Sequence, residues 1–141
     1  MTIPKGASIT SYELEDVFCG FTHTTVTNDT VFVMFFAVQD GFRGKGCGSA
    51  ILEHIKKHNP GKALILNVEP LDDSADNAQQ RIKRIRFYEK NGFYDTGYDI
   101  KEVGGTFRVL STQPVLNTES YLRVFHKLSF GLWKPKITQI R

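Results

Sequence analysis

The chain has 141 residues, a formal net charge of +3 at neutral pH, 40% hydrophobic and 12% aromatic residues; this suits one globular domain able to bury roughly two thirds of its unfolded surface. So modest a charge does not argue for a nucleic-acid partner, and the apolar run Val31 to Val38 is eight residues, far short of the roughly 20 a membrane span needs. A soluble protein with no membrane partner is expected; with no apolar signal core in residues 1–6 and no metal or disulfide pattern in Cys19 and Cys47, a reducing cytoplasm is the expected location.

Ile9 to Leu14 and Val17 to Thr27 are rich in Thr, Val, Phe and Tyr, and the second alternates in part, as a half-exposed strand does. Thr27-Asn28-Asp29-Thr30 supplies a turn into Val31 to Val38, which is β-branched and aromatic without alternation and reads as a central strand covered on both faces. An antiparallel meander of three strands is therefore predicted. After Gln39 to Gly48 the apolar positions become Ile51, Leu52 and Ile55, opposite Glu53, His54, Lys56 and Lys57, so the period switches to helical and the glycines fall at a helix N-terminus. Asn59-Pro60-Gly61 stops that helix, and Ala63 to Val68 is a short apolar strand ended by Pro70, which cannot donate to a ladder. The strand, helix, strand crossover sets it parallel to the central strand.

An acidic loop, Glu69 to Asp76, precedes a helix predicted from Asn77 to Asn91, where its carboxylates would complement the helix dipole. Ile82, Ile85, Phe87 and Tyr88 form the apolar stripe, and Gly92 stands where helices commonly end. Tyr94 to Ile100 and Thr106 to Ser111 are the last predicted strands, joined through Val103-Gly104-Gly105. Asn117 to Phe130 places Tyr121, Leu122, Phe125 and Leu128 at helical spacing before Gly131, an additional amphipathic helix. The domain is expected to occupy residues 1–131, with 132–141 as a C-terminal tail or interface strap.

The glycine loop carries the clearest chemistry. A helix's first turn has unpaired backbone N–H groups and the positive end of its dipole. Gly44, Gly46 and Gly48 clear side chains from that backbone, while Arg43 and Lys45 add positive charge, a geometry that suits a diphosphate. Two nucleotide patterns fail on spacing: no Gly-Lys-Ser/Thr closes the loop, and Ser49 stands where a dinucleotide motif needs its third glycine. An ordinary strand-to-helix turn is the alternative for the loop taken alone.

The segment resembles the acyl-CoA loop of the GNAT superfamily of N-acetyltransferases, whose Arg/Gln-x-x-Gly-x-Gly/Ala pattern is met by Arg43, Gly46 and Gly48. A second family motif follows in order, Phe87-Tyr88-Glu89-Lys90-Asn91-Gly92-Phe93, and the resemblance covers Ile9 to about Ser111. It implies an α/β fold with a mixed, mostly antiparallel sheet and helices on both faces, here short at the N-terminus and with an added C-terminal helix. It further implies acetyl-CoA as cosubstrate, held by Arg43, Gly44, Lys45, Gly46, Cys47, Gly48 and Ser49, with no metal, and direct transfer to a primary amine of a small molecule or peptide. Tyr88 would meet the CoA sulfur as acid or hydrogen-bond donor, and a backbone N–H near Val38, where the central strand splays from its neighbour, would hold the carbonyl oxygen.

Departures from the family pattern bear on the rest. Arg81 stands two turns before Tyr88, where relatives often carry an asparagine that contacts the pantetheine arm, so it is placed among the cofactor-binding residues. The central strand lacks the glutamate some relatives use as base; the candidate is Glu69, with a carboxylate bound to an arginine or helix N-terminus as the alternative. Glu69, Asp72, Asp73 and Asp76 would favour a cationic acceptor. The four histidines fit no ligand spacing, and Cys47 reads as a small filler. The usual N-terminal wall of the acceptor pocket is missing, and either the added helix or a second subunit would supply it; the apolar stripe of that helix gives a homodimer as the expectation. Two other readings stay open: an acyl-CoA-binding protein without turnover, and, ranked last, a nucleic-acid module using Arg81 to Arg86, which lacks interleaved exposed aromatics.

Overall fold

The computed structural model describes residues 7–42, 44, 46–102, 104–128 and 136–139, with residues 126–128 and 136–139 described through their backbone. Strand β1 (Ala7–Leu14) turns into β2 (Val17–Val26) through Glu15 and Asp16, at φ 53° and 66°. Two successive positive φ values make the two-residue hairpin turn whose twist matches its strands. Thr27 N–H donates to Thr30 O at 2.9 Å in the turn to β3 (Thr30–Val38). There follow α1 (Cys47–His58), β4 (Ala63–Val68), α2 (Ala78–Lys90), β5 (Tyr94–Glu102), β6 (Gly105–Ser111), α3 (Thr118–Leu128) and β7 (Lys136–Gln139).

These strands form one seven-stranded sheet in the order β1-β2-β3-β4-β6-β5-β7. Only β3 and β4 pair in parallel, as the crossover through α1 requires. Ile51, Leu52 and Ile55 of α1 and Tyr88 of α2 pack on one face with Val31, Val33, Leu64 and Leu66. Tyr121, Val124 and Phe125 of α3 pack on the other with Phe32, Ile65, Ile100 and Val109. β3 therefore feeds both layers, the physical reason its sequence does not alternate. No helix of the described residues is long and apolar enough to cross a membrane.

Two expectations are corrected. The stripe of α3, expected to be shared with a second subunit, is covered by the chain's own sheet: Tyr121 is fully buried, Phe125 is 4% exposed and Leu122 packs on the same cluster. The side chain of Leu128 and the predicted helix end at Phe130 and Gly131 lie outside the described residues. Phe125→Ala is thus expected to lower stability by about 3–5 kcal/mol, the cost of emptying a buried aromatic site, in equilibrium urea unfolding, without changing the sedimentation coefficient. Second, Lys136–Gln139, expected within a tail, is the edge strand β7 and pairs antiparallel with β5 from Tyr98↔Gln139 to Lys101↔Lys136.

The break in the sheet positions the site. β3 and β4 pair only at Thr30↔Ala63, Val31↔Leu64 and Phe32↔Ile65, although β3 runs on to Val38 and β4 to Val68. Where they part, β3 bulges: His23 pairs with Phe35 and Thr24 with Val33, leaving Met34 as the extra residue. A bulge sharpens local twist, which swings the far half of β3 away from β4 and opens the sheet between them.

Candidate active site

The glycine loop starts where Gln39 N–H donates to Cys19 O at 2.7 Å, and a short 3-10 turn, Asp40–Phe42, follows. Gly44 and Gly46 have φ of 76° and 79°, a left-handed backbone that other residues adopt only with strain. Gly46 caps α1, no side chain caps it, and no acidic residue stands in its first turn. The first helical bond is Ala50 N–H to Gly46 O at 3.0 Å, so the N–H groups of Cys47, Gly48 and Ser49 point out of the helix end without intrahelical acceptors. Gly48 has a different purpose: an added Cβ would lie 2.9 Å from Cζ of Phe87, so its lack of a side chain lets α1 and α2 meet. Arg43 and Lys45 lie outside the described residues. Cys47 is buried with its Sγ 2.9 Å from that of Cys19, and burial followed by this contact pushes its thiol up to about 11. It is protonated at neutral pH and is a filler, not a nucleophile.

Between the parted halves of β3 and β4 lies a cleft of about 440 Å³, bounded by Met34, Phe35 and Phe36 on one side and by Leu66, Asn67, Val68 and Glu69 on the other, with Tyr88, Arg84 and Phe107 completing it. Because Gln39 turns its N–H to Cys19 on β2, alternation along an antiparallel ladder turns those of Ala37 and Phe35 the same way and those of Phe36 and Val38 to the opposite side. That is the side from which β4 has departed, so Val38, expected near a splay, lies on it, and Phe36 joins it as a donor the sequence did not disclose.

Tyr88 enters the cleft from α2. It is 8% exposed, in ring contact with Phe36, Phe87 and Phe93 at centroid distances of 6.4, 5.3 and 5.5 Å, and its hydroxyl makes no hydrogen bond among the described residues. Burial raises its pKa above the ordinary phenol value, with the nearby Arg84 charge opposing, so it is a neutral donor at physiological pH.

Glu69 and Arg81 are brought together, but with each other. Arg81 places Nη2 2.8 Å from Glu69 Oε2, donates from Nη1 to Pro70 O at 3.0 Å and from Nε to Asn77 Oδ1 at 2.7 Å. Asn77 Nδ2 donates to Glu69 Oε1 at 3.1 Å, and Arg84 Nη1 approaches the same oxygen at 3.2 Å. This clamp fastens the acidic loop to the start of α2. The Glu69 carboxylate is thus taken up by two guanidiniums and an amide, and Arg81 by three acceptors; this pairing is the structural alternative that the sequence offered beside the base expectation for Glu69. Asp72 accepts from Ser74 N–H and Oγ–H at 3.0 and 2.7 Å, which hold its carboxyl below the usual range.

Sequence reasoning also missed a polar chain on the α3 face that runs from the buried Tyr121 to the half-buried Asn67 and Glu102. Tyr121 Oη donates to Asn67 Oδ1 at 2.7 Å, and Asn67 Nδ2 donates to Glu102 Oε1 at 3.2 Å. An asparagine in the apolar strand Ala63–Val68 was the available signal, since an amide withdrawn from water demands partners.

Compared with known proteins, residues 6–95 match the family model described as an acetyltransferase (GNAT) domain. The Bacillus subtilis (strain 168) protein YjbC, provisionally assigned as an acetyltransferase, is 29% identical over 106 residues, which are 75% of this chain and 45% of that protein; the chain thus spans under half of that relative's length. A GNAT-family structure from Bacteroides thetaiotaomicron, also provisionally assigned as an acetyltransferase, superposes with a TM-score of 0.66 at 19% identity, covering 91% of this chain and 75% of that one. An aminoglycoside 6'-N-acetyltransferase complexed with coenzyme A gives 0.58 at 14% identity, covering 80% and 77%. With a family model over more than half the chain, a sheet that parts beside a glycine-capped helix, and this fold shared with solved acetyltransferases, the chain belongs to the GNAT acetyltransferase superfamily.

Proposed function

We propose that the protein is an N-acetyltransferase that moves an acetyl group from acetyl-CoA directly to a primary amine of a small molecule or peptide. The observation that carries this reading is the opening between β3 and β4, with a helix N-terminus that no side chain caps beside it and, in it, a tyrosine whose hydroxyl makes no hydrogen bond among the described residues. The N–H groups of Cys47, Gly48 and Ser49, with Arg43 and Lys45, would hold the CoA diphosphate. The pantetheine arm would lie along β3 in place of the departed strand, and the N–H groups of Phe36 and Val38 would polarise the thioester carbonyl. Tyr88 would give its proton to the leaving thiolate.

Helix α3 stands on the face opposite α1 and α2 and supplies the acceptor wall in this reading. Of the acidic stretch, Asp72, Asp73 and Asp76 are exposed and would favour a cationic acceptor. The residues through 131 act as one domain, completed by the edge strand β7, in a cytoplasmic setting. Acetyl-CoA titration by calorimetry, then thiol release with a panel comprising an aminoglycoside, spermidine and a peptide with a free N-terminal alanine, tests it. Micromolar binding and release with one amine are expected, and Arg43→Ala should weaken binding by about 1.5–3 kcal/mol, as for a charge-assisted bond. Failure to bind acetyl-CoA rejects the reading, and binding without release leaves an acyl-CoA-binding protein.

A further inference from the structure

We propose that Glu102 takes the proton from the attacking amine, an assignment that rests on the acetyltransferase reading above. The argument begins with Asn67, which lines the cleft between β3 and β4. Its amide orientation is fixed, because the buried Tyr121 hydroxyl occupies Oδ1 at 2.7 Å and Nδ2 is turned to Glu102 Oε1 at 3.2 Å. Glu102 has the strand parity of Ile100, whose side chain packs in the layer under α3, so its carboxylate stands on the α3 face of the sheet. Tyr88 reaches the same cleft from the other face, on α2. A thioester lying in the opening would have its sulfur near the phenol and its carbonyl carbon open to a nucleophile arriving along α3, past Asn67 and Glu102.

Glu69 lines the cleft and Glu102 stands one hydrogen bond behind it, on Asn67, and the two carboxylates differ in their surroundings. Glu69 meets two guanidiniums and an amide, whereas Glu102 has no cationic partner among the described residues and accepts only from Asn67. The titratable group facing it from α3 is the Tyr121 phenol; β4 offers Asn67, which carries no charge, and β6 offers Gly105 as its register partner. Burial disfavours its charged form and raises the carboxyl above the ordinary range, with the Asn67 bond opposing, which makes it a stronger base than an exposed carboxylate.

The step balances as follows. The neutral amine nitrogen bonds to the thioester carbon, the C–S bond breaks, the nitrogen's proton passes to Glu102 and the thiolate takes the Tyr88 proton. Solvent then carries the Glu102 proton back to the phenolate, leaving the amide and the CoA thiol.

Glu102→Gln tests this, since glutamine keeps an oxygen for Asn67 and removes the base. Thiol release from acetyl-CoA is measured with the same three amines, alongside acetyl-CoA calorimetry and thermal melting. The expected result is a kcat/KM about 100-fold lower, with the acid limb that a titrating carboxylate gives the wild type absent from the Glu102→Gln pH profile, and with acetyl-CoA affinity and melting unchanged; Glu102→Asp should fall between. Wild-type rates in Glu102→Gln overturn the inference while leaving the acetyltransferase reading intact, and so does a loss of folding or of acetyl-CoA affinity in both variants. A wild-type protein that binds acetyl-CoA but acetylates none of the three amines overturns it as well, and one that does not bind acetyl-CoA removes the reading beneath it.

Discussion

Tyr88→Phe is expected to lower acetyl transfer by about 100-fold, the typical worth of a placed general acid, while acetyl-CoA affinity stays within twofold or so of wild type. The substitution isolates one group. The ring of Tyr88 packs among Phe36, Phe87 and Phe93, and phenylalanine keeps those contacts. The hydroxyl makes no hydrogen bond among the described residues, so its removal leaves no buried partner unsatisfied, the usual source of a large stability cost. Protein stability and chemistry are therefore separable at this position. The pH dependence carries a sign of its own: burial raises the Tyr88 pKa above 10.0, so the protonated donor persists through the physiological range and a basic limb due to Tyr88 belongs above pH 10. Equal rates in Tyr88→Phe and wild type, from single-turnover measurement of thiol release, would return this residue to core packing and leave the thiolate to be protonated by water.

How much of this was legible in the chain depends on whether the signal was local. The segment from β3 through the glycine loop to α1 declared itself because hydrophobic spacing switches from continuous to helical across Gly44 to Gly48, and the Tyr88 to Phe93 stretch did so through its terminating glycine. α3 was legible as a helix, but its stripe of Tyr121, Leu122 and Phe125 could not say whose surface covers it; the answer depends on Phe32 and Val109, distant in sequence. β7 was missed because Lys136 to Gln139 is only four residues, and its β-branched Ile137 and Thr138 are too short a signal to mark a strand until the edge of β5 is there to pair with them. Within the site, alternation put Glu69 on the face of Asn67, yet Asn67 turns to Tyr121 of α3 while Glu69, just past the end of β4 at Val68, turns to Asn77, Arg81 and Arg84 at the start of α2. The Tyr121–Asn67–Glu102 chain joins residues 54 and 35 positions apart, and periodicity holds no information at that range. A polar residue inside an apolar pattern is the one clue such networks leave.

Gly46→Val should weaken acetyl-CoA binding on the order of 100-fold while leaving the protein folded, and the reason lies in backbone conformation. Gly46 sits at φ 79° and ψ 2° as the cap of α1, in a region that costs a residue with a side chain about 1–3 kcal/mol, most for β-branched ones. No atom lies within 4 Å of a Cβ built there, so the substitution acts through backbone strain, which is relieved by turning the loop. That turn redirects the N–H groups of Cys47, Gly48 and Ser49, which carry the anion site in the proposed function. Losing two charge-assisted bonds at about 1.5 kcal/mol each weakens binding on the order of 100-fold. Gly48→Val gives the contrasting result, because its Cβ would press on the Phe87 ring at 2.9 Å and push α1 from α2. There the melting temperature should fall together with binding, whereas in Gly46→Val binding falls alone. Calorimetry and thermal melting on both variants decide it, and acetyl-CoA affinity in Gly46→Val equal to wild type would remove the glycine loop from the cofactor site.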